Sequence, residues 1–217
     1  MSGTFLNSGV IFTLARKAFE SANSSCDGGN DFVQDLSPLI AIIFSVTAAE
    51  TFFNEIICMA DSNLNSEPVA VKNVRYILVE AERAKCRTLM KYKLGKFALT
   101  NVFCAEGSNP YQDFALLIKL RNTIAHAEND TIEHIAPNNF KIIPPRIIDA
   151  LRSKNILLAS GAPLFSSWLS LISTSASAKW ACNTVANVVI DFTNAIPASD
   201  LRNKANLLVS NSFKTIN

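Results

Sequence analysis

Three observations predict an all-α fold, an up-and-down helical bundle of several helices. Apolar residues recur every three or four positions through most of the chain. The stretches with this period are divided by clusters of Gly, Pro, Asn and Ser. The one strand-like segment, NFKII at 139–143, has no evident partner with which to form a sheet. The 217 residues are 49% hydrophobic and 18% charged, enough for a sizeable core. They read as a single domain over residues 1–217, with its core at about 38–127 and flanking helices at 4–22 and 147–195.

Val10, Ile11, Leu14, Ala18 and Ala22 keep helical spacing, so Thr4 to about Ala22 is predicted as a first helix, ended by NSSCDGGND. Ser37-Pro38 reads as an N-cap followed by Pro at the first helical position. The helix it starts, to about Ala60, is apolar nearly all round and is expected to be buried. Glu50 and Asn54, four apart on one face, are its conspicuous polar residues. After a loop at 61–68, one long helix is predicted from Val71 to Leu99, with Val74, Ile77, Leu78, Ala81, Ala84 and Tyr92 on its core face.

Between Lys72 and Lys96 that segment carries eight Lys or Arg against Glu80 and Glu82. Lys72, Arg75, Arg83 and Arg87 share an arc opposite the apolar side, which is either a solvated face or a track for a phosphate backbone. The turn AEGSNP precedes a helix that begins near Pro110 and ends near His126, with Ala127 to Asp130 as a fraying end. Short helices are expected at Ile147 to about Leu158 and Phe165 to Ile172. A longer one follows from Ala176 to about Ala195, and a last short one after Pro197 to Asp200.

Several function classes find no support in the sequence. The net charge of +2 does not by itself indicate nucleic-acid binding. Five scattered cysteines, odd in number and without a CxxC pair, read as reduced residues of a cytoplasmic protein. The first basic residues follow the apolar stretch at the N-terminus, the wrong order for a secretory signal. The longest apolar run, Pro38 to Ala49, is short of the roughly 20 residues that cross a bilayer, so no membrane association is expected. No zinc-ligand spacing, nucleophile elbow or phosphate-cradling Gly loop is present, and neither metal nor cofactor is implied.

The chemistry concentrates at Arg121, Asn122 and His126. On a helix, Phe114, Leu117, Ile118, Ile124 and Ala125 form an apolar face, and Arg121 falls in its middle. A guanidinium stays charged at neutral pH, so burying it calls for a carboxylate or an anionic ligand. Glu50 is the expected carboxylate, within hydrogen-bond reach of Arg121. This pair reads either as a structural ion pair or as a fork held ready for phosphate. His126 reads either as a helix-end residue that binds a terminal carbonyl or as a titratable catalytic group.

At these residues the chain resembles the HEPN superfamily, whose signature is Arg, a polar residue, and His after a short interval near the end of a late bundle helix. In this sequence it runs Arg121-Asn122-Thr123-Ile124-Ala125-His126. Glu50 and Asn54, in AAETFFNEI, resemble the acidic and amide residues that many bacterial members carry opposite the motif. The resemblance implies a metal-independent endoribonuclease in which two motif helices pack across a homodimer and form a composite site. It further implies RNA as partner, an antitoxin or regulatory protein, and a role in toxin-antitoxin or antiviral defence. The alternative is a non-catalytic HEPN-like module that binds RNA, a nucleotide or a protein.

Overall fold

The structure is a computed structural model that describes residues 6–24, 35–61, 64–126, 131–136, 139–157 and 167–217. It is an all-α bundle with one small hairpin. In chain order the elements are α1 (Ser8–Ser24), α2 (Ser37–Asp61), α3 (Val69–Arg83), α4 (Thr88–Thr100) and α5 (Tyr111–Ala125). Then come β1 (Thr131–Ala136), β2 (Asn139–Ile143), α6 (Ile147–Ser153), α7 (Trp168–Ile172), α8 (Ser175–Ala195) and α9 (Asp200–Asn211).

α2 forms the axis of the bundle. It packs on α1 and α8, and also on α3, α4, α5 and α9, which explains why its sequence is apolar nearly all round. By length and composition α2 could cross a bilayer, although its unbroken apolar run is short; just over half of its most apolar stretch is buried inside the protein. A core position is a sufficient reason for that composition. Its start is capped differently from the Ser37 reading: Ser37 is already helical, and its backbone N–H donates to Asp35 Oδ1 at 2.9 Å.

The placing of α8 corrects the sequence reading, which makes the C-terminal helices peripheral. α8 is buried along Val185, Val188, Val189 and Phe192, and it contacts α1, α2, α4, α5 and α9. Phe192 meets Phe53 with centroids 5.1 Å apart and Phe52 at 6.1 Å, both edge to face. Such pairs each add about 0.5–1.5 kcal/mol beyond the area they bury. Gly95 of α4 permits this packing, because a β-carbon there would stand 2.7 Å from the Phe192 ring.

The predicted Val71–Leu99 helix is two helices. After Arg83 the chain caps on Ala84, and Lys85 enters the left-handed region at φ 52°. Lys85 N–H then donates to Glu82 O at 2.9 Å, and Cys86 N–H to Ala81 O at 2.8 Å. These two bonds are the Schellman pattern that ends a helix. Lys occupies a position usually filled by Gly, so no breaker marks the break. Ala84, expected on the core face, is exposed.

NFKII is not an unpaired strand. β1 and β2 pair antiparallel, with Glu133 opposite Lys141 and His134 opposite Phe140. The first helix begins at Ser8 and not Thr4, and α6 and α7 are shorter than expected. Thr4, most of NSSCDGGND, Ala127 to Asp130, Leu158 and Phe165 lie outside the described residues.

Candidate active site

α5 sets the geometry. Its buried line is Phe114, Leu117, Leu120 and Thr123, which centres the core face about 70° away from Arg121 at 100° per residue. Arg121 therefore sits at the margin of that face and not in its middle. Its side chain is 28% exposed, with Nη2 3.6 Å from Glu50 Oε2. That separation is inside the range of a charge pair and just beyond a hydrogen bond. The Nε atom is buried and has no hydrogen-bond partner. A guanidinium carries five N–H donors in a rigid fork, so this one is anchored by charge while its donors are little used.

Glu50 belongs to α2, which packs directly on α5. It is 46% exposed, so it is not the most deeply placed carboxylate of that helix. Glu55 is, at 7%. Glu55 accepts from the backbone N–H of Ser8 at 3.0 Å, and also from Asn7 N–H and Ser8 Oγ. A carboxylate there satisfies the first donors of α1 and complements the positive end of its dipole.

His126 caps the C-terminus of α5, its N–H donating to Asn122 O at 2.9 Å, and its side chain is exposed. Asn122 lies one turn earlier and half-buried. From Arg121 to His126 the helix rises only about 7 Å, so a guanidinium and an imidazole both reach the surface around the last turn of α5.

Asn54 does not join this group. Its Oδ1 accepts from Lys91 Nζ at 2.9 Å, and Glu82 pairs with the same ammonium. Lys91, 4% exposed, is the buried cation among the described residues. Thr88, Lys91, Tyr92, Gly95, Ala98 and Leu99 are the buried residues of α4. Their spacing places Lys91 inside once α4 is treated as a separate helix.

The basic stripe is also divided. Lys72 donates to Asn65 O at 3.1 Å, Arg75 pairs with Asp61 at 2.7 Å, and Arg83 pairs with Glu80 at 2.6 Å. Arg87 lies across the break, at the start of α4. Three of these four cations thus have local partners, and none is tied to α5.

Cys58, Cys86, Cys104 and Cys182 are free thiols, and Cys26 lies outside the described residues. Burial pushes the Cys182 thiol up to about 11. Among the described residues no three His, Cys, Asp or Glu side chains gather as a metal site would require.

No family model, curated protein or solved structure matches this chain.

Proposed function

We propose that the protein is a metal-independent endoribonuclease whose working groups are Arg121, Asn122 and His126, supported by Glu50. The observation that carries this reading is the state of Arg121: it is positioned by a carboxylate 3.6 Å away, yet its buried Nε has no partner. The partly exposed guanidinium ends on the same last turn of α5 as an exposed imidazole, and its outer donors suit a phosphodiester, whose oxygens accept paired N–H bonds.

RNA brings its own nucleophile. His126 as base takes the proton of a 2′-hydroxyl, whose oxygen forms a bond to the adjacent phosphorus. The bond from phosphorus to the 5′-oxygen breaks, and that oxygen leaves with a proton from a second acid. Arg121 neutralises the charge that builds on the phosphorane. Products are a 2′,3′-cyclic phosphate and a 5′-hydroxyl. Among the residues whose side chains are described, His126 is the one imidazole at this surface; the second acid is then assigned to His126 of another copy, and the working form to a homodimer through the last turn of α5.

Purified protein should cut mixed RNA in excess EDTA and leave DNA intact, and it should sediment as a dimer at micromolar concentration. A monomer that still cuts RNA would overturn the composite site. Cleavage that stops in EDTA would overturn the mechanism.

The pairing of Arg121 with Glu50 gives the second reading its support, since a structural ion pair suits a non-catalytic module that binds RNA, a nucleotide or a partner protein. RNA binding without cleavage would favour that module.

A further inference from the structure

A second site lies at the other end of α5, about 20 Å from His126 along the helix axis. The C-terminal half of α4, the loop at 101–110, Tyr111 and Asp191 of α8 enclose a cleft of about 300 Å³. That is the small end of the range for ligand pockets, room for one compact ring system.

Its walls are aromatic. Phe103 is 63% exposed, which for a large apolar ring calls for a reason. It is also fixed in place, stacked on Phe97 with centroids 4.4 Å apart and planes 17° apart. Phe97 stands outside the lining, so its stack holds the Phe103 ring in place at the edge of the cleft. Tyr92 and Tyr111, stacked with centroids 6.4 Å apart, also line the cavity.

Among its polar groups, Lys96 and Asp191 form a donor-acceptor pair. Lys96 Nζ lies 2.9 Å from Asp191 Oδ2, and the Tyr92 hydroxyl donates to that same oxygen at 2.6 Å. Neither contact uses Oδ1. Lys96 reaches the Asp191 carbonyl at 3.5 Å, which leaves its third proton uncommitted. Burial first, and then Asp191, holds the Tyr92 phenol far above its ordinary pKa, and burial raises the Cys104 thiol as well.

We propose that this cleft binds a flat heteroaromatic ring of nucleobase type, with guanine and uracil favoured over adenine and cytosine. The ring would stack on Phe103, a contact open to any base. The edge decides between them. Guanine and uracil each set a ring N–H beside a carbonyl, which matches the open Oδ1 of Asp191 next to the Lys96 ammonium. Adenine has no carbonyl, and neutral cytosine has no ring N–H next to one. The site stands on its own residues and does not depend on the cleavage reading.

The test is calorimetric titration of the full chain with guanosine, uridine, adenosine and cytidine. A parallel arm uses a five-residue 2′-O-methyl cytidine oligonucleotide with one central guanine, against the all-cytidine control; the blocked 2′-oxygen removes any cleavage. Guanosine and uridine should each bind at least tenfold tighter than adenosine or cytidine. Phe103→Ala, a substitution at an exposed position whose melting curve should match wild type, should weaken binding about 5- to 100-fold. Asp191→Asn and Lys96→Met should flatten the base preference. Tight binding of free guanosine would identify a free nucleoside or nucleotide as the ligand, while binding confined to the guanine oligonucleotide would identify a base within RNA. No binding of either at millimolar ligand would overturn the proposal. So would equal affinity for all four bases, or binding unchanged by Phe103→Ala.

Discussion

Lys91 and Arg121 are cations on neighbouring helices of one bundle, and they are held in opposite ways. Lys91 is almost wholly buried, and its ammonium donates to both the Glu82 carboxylate and the Asn54 amide oxygen. Arg121 is partly exposed, contacts one carboxylate at 3.6 Å, and keeps a buried N–H without a partner. A cation removed from water must be fully partnered or it destabilises the fold by several kcal/mol. Lys91 meets that requirement and therefore reads as structure. Arg121 is positioned without being consumed, which is the condition of a group that waits for an anion.

The sharpest way to separate the two is to remove each and read activity and stability together. His126→Ala should lower RNA cleavage about 10²- to 10⁴-fold, the usual share of general acid-base catalysis. Its melting temperature should stay at the wild-type value, since the side chain is exposed. Arg121→Ala should also abolish most cleavage. It should cost little stability, because Glu50 is 46% exposed and keeps its water, and pairs this exposed contribute only about 0–1 kcal/mol. A large fall in the melting temperature of Arg121→Ala would make Arg121 a structural cation like Lys91.

Lys91→Met should show the reverse pattern. It keeps the apolar stem but leaves the partly buried Asn54 Oδ1 without its donor, a loss of about 1–3 kcal/mol in chemical unfolding. Cleavage per folded molecule should not change. Glu55→Ala should destabilise by a similar amount, because it strips the partners of Asn7 N–H and of the buried Ser8. A catalytic defect in folded Lys91→Met would dissolve the contrast between the two cations.

A smaller effect should appear with pH. Burial raises the Cys182 thiol to about 11 and the Tyr92 phenol further, so both groups hold their protons in the folded chain after the unfolded chain has lost them. The unfolded state then binds fewer protons, and stability should fall as pH rises above about 9. Denaturant midpoints measured between pH 8 and pH 11 would check this. Cys182→Ser should remove part of the slope.

The helical class is legible in the sequence because apolar periodicity survives in any element that buries one face, and α8 and α9 begin within a residue of where their spacing and breaks put them. The Arg121–Glu50 pairing is legible for a related reason, since a cation near an apolar face needs a nearby carboxylate. What escapes the sequence is set by backbone choices without a marker. Lys85 adopts a conformation typical of Gly, which hides the break between α3 and α4, and with it the burial of Lys91 and the destination of Asn54. The β1–β2 pairing is hidden because the residues of β1 show no strand pattern strong enough to mark them as a partner for NFKII. The core role of α8 depends on contacts with distant segments that local periodicity does not encode.

The most direct measurement is the end chemistry of a single defined RNA cut by the wild-type protein in excess EDTA. Attack by the 2′-hydroxyl, with His126 as base and Arg121 on the phosphate, leaves a 2′,3′-cyclic phosphate and a 5′-hydroxyl. Both products should vanish together with His126→Ala. A 5′-phosphate on the downstream fragment, or the same products from His126→Ala, would contradict a catalytic role for the last turn of α5.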